Sequence, residues 1–149
     1  MDNSRENTQG DVVEPAASPS SHDATDRIDP GQPSTLVFDP TEYQEYDAGQ
    51  ASLSLVYLGR VGIVTWNLEP GQWNPSHMHP DTDHVHIVLR GELEYHLADL
   101  SPMRVSAGQA VIVPAGIAHG IRNASAGRAC YMAVANGDGY SKVTVDQPA

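Results

Sequence analysis

The chain has 149 residues, of which 40% are hydrophobic and 18% charged, with a formal net charge of -11. This length fits one hydrophobic core. The acidic charge, with Lys142 as the only lysine, argues against nucleic acid and anionic membranes as partners, because binding to phosphates needs clustered lysine and arginine. No apolar run is long enough for a signal peptide or a membrane span, and the single cysteine, Cys130, cannot form an internal disulfide. We therefore expect one domain in the reducing cytoplasm.

Residues 1–35 differ in composition from the rest of the chain. They carry seven acidic and two basic side chains, four prolines and no aromatic residue. Such a segment cannot bury enough apolar surface to offset the entropy lost on ordering. It is predicted to be a disordered acidic tail in front of a domain at residues 36–149, and its isolated His22 is not expected to bind metal.

From Leu36 onward, short apolar and β-branched runs alternate with glycine, proline and asparagine turns. This pattern predicts short strands and an all-β sandwich or barrel. Residues 40–48 are predicted to hold at most one helical turn, and Cys130 is predicted to be a buried small side chain. The predicted strands cover residues 52–57, 62–68, 84–89, 93–98, 110–113 and 130–135.

Histidines form the main chemical pattern. His77 and His79 are two residues apart, which in an extended strand places both side chains on one face. His119 follows the Pro114-Ala115-Gly116 turn in a distant segment. Burying imidazoles is costly unless a metal or hydrogen bonds satisfy them, and neutral imidazole is the commonest protein ligand for divalent transition metals. We therefore predict a metal site.

The two segments that carry these histidines resemble the two sequence motifs of the cupin superfamily. The first motif is matched by Gly71, His77, His79 and Gly91, and the slot that usually holds a glutamate holds His84. The second motif is matched at every position, by Gly108, Pro114, Gly116, His119 and Asn123. The resemblance implies a small antiparallel jelly-roll barrel over roughly residues 36–146, with a metal inside it.

The resemblance extends to a subset of cupins with four histidine ligands, which implies that His77, His79, His84 and His119 bind the metal. Asp83 is the rival of His84 for the fourth position. A shift of one residue turns a strand side chain to the opposite face, so both cannot point at one ion from a regular strand.

His86 has the same parity as His84 and is expected to face inward. It is a candidate catalytic acid or base at the cavity wall, although a histidine hydrogen-bonded within the barrel is an equal alternative. His96, on the next predicted strand, is a weaker candidate for a role in the site. Aromatic residues and a methionine are candidates for the cavity lining or for the core: Tyr57, Trp66, Trp73, Tyr95, Tyr131 and Met132.

Four neutral ligands leave a divalent ion with its full charge and two open positions, which favours an anionic substrate. We expect an oxidoreductase that acts on a small oxygenated or anionic molecule by dioxygenase-type cleavage, with Fe(II) favoured and Mn, Ni, Co or Zn as alternatives. The alternatives are a metal- or ligand-sensing cupin without activity, or a cupin lyase, isomerase or decarboxylase. The resemblance also implies a homodimer, for which residues 53–58 are the candidate interface.

Overall fold

The computed structural model describes residues 28, 31, 36–137 and 143–145, and these fold as an antiparallel all-β domain, as predicted. The predicted disordered tail, with His22, lies outside the described residues except for Ile28 and Gly31. A 3-10 turn covers Pro40–Tyr43, where one helical turn was predicted, and the carboxylate of Asp39 accepts a hydrogen bond from the backbone N–H of Thr41 at its start. No helix among the described residues is long and apolar enough to cross a membrane.

The described residues form ten strands in two five-stranded sheets, with the orders β1-β2-β9-β4-β7 and β10-β3-β8-β5-β6. The histidines of the two sequence motifs lie on or beside β3, β4 and β8, so both sheets contribute to the same interior. The strands are β1 Ser52–Leu58, β2 Val61–Leu68, β3 Trp73–Met78, β4 His84–Arg90, β5 Glu92–Leu97, β6 Met103–Ser106, β7 Ala110–Val113, β8 His119–Arg122, β9 Ala129–Asn136 and β10 Val143–Thr144.

The hydrophobic core lies between the two sheets. Along β4, side chains alternate between the core and the outer surface: His84, His86 and Val88 are buried, whereas Val85 is exposed. This alternation confirms that His84 and His86 face inward together. Cys130 is fully buried, as predicted, and burial raises the pKa of its thiol to about 12.

Two motif glycines shape the turns next to the site. Gly91 joins β4 to β5 with φ at 72°, and a Cβ there would lie 2.6 Å from the carbonyl oxygen of Arg128. Gly116 precedes β8 with φ at 75°. Both conformations disfavour residues that have a Cβ, so these glycines hold the ends of the histidine-bearing strands in place.

The prediction that His77 and His79 lie on one face of a strand is confirmed only in part. β3 ends at Met78, so His79 lies one residue beyond the strand. Pro80 follows directly and has no N–H with which to continue the ladder. The carbonyl of His79 instead accepts a hydrogen bond from the N–H of Gly116 at 2.9 Å, and both histidines remain buried.

Candidate metal centre

Three buried histidines converge in the interior. His77 on β3 and His119 on β8 are register partners, and His79 lies just beyond β3. One ring nitrogen from each lies within 4.8 Å of the ring nitrogens of the other two. The three side chains are at most 7% exposed. The structure thus brings together residues from both sequence motifs in a geometry that could hold one ion.

Backbone carbonyls orient two of these rings in the same way. Nδ1 of His77 lies 2.7 Å from the carbonyl oxygen of Pro75, and Nδ1 of His119 lies 3.0 Å from that of Ile117. A carbonyl only accepts hydrogen bonds, so each Nδ1 carries the proton and each neutral ring keeps its lone pair on Nε2. This arrangement, in which the other ring nitrogen is held by a carbonyl, is typical of metal-binding histidines.

The environment of His119 fits a divalent metal. Its Nε2 is buried and has no hydrogen-bond partner among the described residues. Burial, with a smaller contribution from nearby His79, lowers the pKa of His119 to about 4, although the hydrogen bond to the carbonyl of Ile117 opposes the shift. The ring is therefore neutral near pH 7, and a buried lone pair without a partner costs about 1–3 kcal/mol. A divalent transition metal bound at Nε2 would remove this cost.

The two candidates for the fourth ligand have different surroundings. His84 is 3% exposed, and its ring stacks on that of His79 with centroids 4.0 Å apart. It lies next to the three converging histidines but outside their 4.8 Å group. Asp83 is exposed, and its Oδ1 accepts a hydrogen bond from the N–H of Ala115 at 2.8 Å. Asp83 thus ties β4 to the turn before β8, whereas His84 faces the centre.

His86 lies in the same interior, next to His119. It is 2% exposed, and its ring centroid lies 5.7 Å from that of His119 and 4.9 Å from that of Tyr131. Burial, followed by the nearby histidines, places the pKa of His86 well below its usual value. A neutral His86 can offer one N–H and one lone pair, so its role as an acid or base stays a prediction.

The other candidates divide between the interior and the outer surface. Tyr95 and Tyr131 are fully buried, and burial holds the pKa of each hydroxyl well above its usual value. Trp66 packs against the core. His96 hydrogen-bonds Glu94 at 2.8 Å and packs on Trp73, away from the histidine cluster. Tyr57 and Met132 are only partly buried.

Asn74 is a buried polar residue of this interior that the sequence did not indicate. Its side chain is 1% exposed, and its amide nitrogen donates to the hydroxyl of Tyr131 at 2.8 Å. The signal in the sequence was a polar asparagine only three residues before His77. A buried asparagine needs a polar partner, so this position could have indicated a buried hydrogen bond near the site. Asn123, by contrast, is a motif residue with a structural role, because its amide donates to the carbonyls of Leu68 and Gly127.

The interior formed by the described residues buries no acidic or basic side chain other than histidine. Among the described residues, the buried polar side chains are histidine, asparagine, serine, threonine and tyrosine, without a buried aspartate, glutamate, lysine or arginine. A divalent ion bound by the histidines would keep its full positive charge, because nothing buried beside it in this part of the chain compensates that charge.

Residues 64–135, from within β2 to near the end of β9, match the family model described as Cupin domain. The chain carries a cupin domain. This confirms the resemblance that the two motifs indicated and the antiparallel all-β fold that it implied. No curated protein matches this sequence.

Solved structures share the cupin fold. A protein from Klebsiella pneumoniae, described as an uncharacterized conserved protein with a double-stranded beta-helix domain, is 26% identical, with a TM-score of 0.69 over 74% of this chain and 97% of its own. The protein TT1209 from Thermus thermophilus is 27% identical, with a TM-score of 0.63 over 67% of this chain and 95% of its own. An oxalate oxidase is 19% identical, with a TM-score of 0.62 over 74% of this chain, which spans 63% of that enzyme. At this identity, the last match shows the fold alone.

Proposed function

We propose that this cupin is a metal-dependent enzyme that binds a small anionic, oxygen-bearing organic molecule directly at the ion. The leading reaction is oxidative cleavage of the dioxygenase type at Fe(II), with Mn, Ni, Co and Zn as alternative ions. The observation that carries the proposal is the convergence of His77, His79 and His119 in an interior where the described residues bury no acidic side chain.

Charge favours an anionic substrate. Histidine ligands are neutral, so the ion would keep two positive charges in an environment of low dielectric, where its attraction for an anion is strong. Three or four protein ligands leave at least two positions open on an octahedral ion. A bound divalent ion would supply Lewis-acid chemistry there and, as iron, would support reactions with dioxygen.

Residues of this chain would orient the metal ligands, exchange a proton with the substrate and exclude water from the centre. The carbonyls of Pro75 and Ile117 fix the rings of His77 and His119, which holds the ligand atoms in place before the ion binds. Neutral His86 lies close enough to the centre to accept or donate a proton. The fully buried ring of Tyr131 packs beside His86 and excludes water from that side.

Oxygen consumption tests the proposal. The metal-free protein is loaded separately with Fe(II), Mn(II), Co(II), Ni(II) and Zn(II) and supplied under air with small dicarbonyls, phenols and carboxylates. We expect oxygen uptake that depends on iron and on one substrate class. His77→Ala should abolish it, and His96→Ala, which changes a histidine outside the cluster, should not.

Two other results would favour the alternatives. Turnover without oxygen consumption would identify a lyase, isomerase or decarboxylase at the same centre. Anion binding at the metal without turnover of any compound would support a binding or sensing cupin and contradict the enzyme proposal.

A further inference from the structure

Three further buried polar side chains lie in the same interior as the converging histidines. They are His86, Tyr95 and Asn74, with exposed fractions of 2%, 0% and 1%. Nδ1 of His86, Oη of Tyr95 and Oδ1 of Asn74 each have no hydrogen-bond partner among the described residues. Since buried polar atoms are nearly always hydrogen-bonded, three such atoms in one interior indicate that a partner from outside the chain belongs there.

These side chains face one another across the two sheets. Asn74 and Tyr95 are both register partners of Ile121, so all three lie on the inner face of β3, β8 and β5. His86 projects from β4 in the opposite sheet, and its ring centroid lies 5.8 Å from that of Tyr95 and 5.7 Å from that of His119. The set therefore lies next to the metal centre.

The available atoms define what can bind. Tyr95 offers an O–H donor. The amide nitrogen of Asn74 already donates to Tyr131, so Asn74 offers its Oδ1 as an acceptor. His86 carries at least one N–H in either protonation state. The matching ligand needs oxygen atoms that accept two hydrogen bonds and a hydroxyl group that donates one.

We propose that Tyr95, His86 and Asn74 select a small hydroxycarboxylate at the metal centre, with Tyr95 and His86 donating to its oxygens and Asn74 accepting from its hydroxyl. This rests on the proposed function. The carboxylate supplies the negative charge that the ion requires and the acceptor oxygens. The fully buried rings of Tyr95 and Tyr131, with centroids 6.1 Å apart, both pack beside His86 and therefore favour a short carbon chain.

The test uses glycolate and acetate, which differ by one hydroxyl group. Binding to the Co(II)-loaded protein is measured by calorimetry and by the cobalt spectrum. The parent should bind glycolate more tightly than acetate. Tyr95→Phe removes only the hydroxyl and should weaken glycolate binding about tenfold, as expected for a hydrogen bond to a charged group. Its affinity for Co(II) should not change.

Two further variants sharpen the comparison. Tyr57→Phe is the control, because it removes the hydroxyl of a partly buried tyrosine on β1. This variant should bind both anions as the parent does. Asn74→Leu removes the acceptor and should abolish the preference for glycolate over acetate.

Thermal unfolding of the metal-free protein separates binding from a structural role. If Oη of Tyr95 serves a ligand, Tyr95→Phe removes a buried group without a partner, and the melting temperature should stay the same or rise. A lower melting temperature with unchanged glycolate affinity would assign the hydroxyl to the fold and overturn the inference.

The two proposals fail in different ways. Equal glycolate affinity in Tyr95→Phe and the parent, with the anion bound at cobalt in both, would overturn the selection by Tyr95 and leave the metal-centred function standing. A cobalt spectrum that no anion perturbs would overturn both.

Discussion

The orientation of the centre depends on backbone carbonyls two residues before His77 and His119. The carbonyls of Pro75 and Ile117 hold Nδ1 of His77 and His119, which leaves Nε2 of each ring for the ion. We expect His77→Ala and His119→Ala to lose metal, measured as moles of metal per chain, whereas His96→Ala retains it. Full metal content in His77→Ala would contradict the site.

His84 requires its own measurement, because it stacks on His79 but lies outside the 4.8 Å group. A reduced metal content in His84→Ala would make it the fourth ligand, in line with the four-histidine prediction. An unchanged content would limit His84 to packing against His79.

Replacing His84 with glutamate should change anion binding more than folding. His84→Glu introduces the commoner cupin ligand and lowers the net charge of the centre by one unit, so metal should be retained and carboxylate affinity should fall by about tenfold or more. Titration of the Co(II) form with acetate measures this. Val85→Glu adds the same charge at the next, outward-facing residue and serves as the control. Equal affinities in the two variants would contradict the charge argument.

At the element scale, Asp83 ties the start of β4 to the turn before β8 through the N–H of Ala115. Asp83→Ala should lower the free energy of unfolding by about 1 kcal/mol, since one hydrogen bond to a carboxylate is lost. Its metal content should be that of the parent. Urea unfolding and metal analysis give the two values. A folded Asp83→Ala protein without metal would make Asp83, not His84, the residue that the ion needs.

The sequence predicted six strands close to their observed bounds because each has alternating or continuous apolar residues. It gave no bounds for β3, β6, β8 or β10, although the spacing of His77 and His79 assumed an extended strand at the position of β3. β3 contains Pro75, which argues against a strand, and β6 is largely exposed. β8 has four residues, including Gly120, and β10 has two. Both are too short to show the apolar alternation that predicts a strand.

The sequence predicted those site residues whose positions follow from the spacing of residues along the chain. The two motifs identified His77, His79 and His119, and the parity of β4 placed His84 and His86 inward. The Asn74–Tyr131 hydrogen bond joins residues 57 positions apart, and its distance of 2.8 Å depends on the packing of the two sheets. A local sequence pattern cannot predict a hydrogen bond between residues this far apart in the chain.

At the scale of the whole molecule, β1 forms one edge of its sheet, and Leu55 and Leu58 are 38% and 59% exposed on it. We expect the protein to form a homodimer through residues 53–58. Because each chain carries a net charge of -11, association should strengthen as salt screens the repulsion. Leu58→Lys should shift sedimentation toward the monomer, and Leu100→Lys, at an exposed leucine elsewhere, should not. Only monomer for the parent at micromolar concentration would reject the dimer.

The stability of the metal-free protein should depend on pH because His119 is buried in its neutral form. Its pKa is lowered from 6.5 to about 4 in the fold, so between these values the unfolded chain binds a proton that the folded chain does not. Stability is therefore complete above pH 6.5 and falls as the pH decreases toward 4, by about 3 kcal/mol for this group. Buried His86, whose pKa is also lowered, adds a loss of the same sign.

Urea unfolding at a series of pH values measures this effect. His119→Leu should show a shallower decline between pH 6.5 and 4, because the leucine cannot take up a proton when the chain unfolds. Carboxylates titrate in both proteins, so the difference between the two curves isolates His119. Bound metal should delay the loss to lower pH, since the ion competes with protons for Nε2. Parallel curves for the parent and His119→Leu would show that His119 is not neutral in the folded protein.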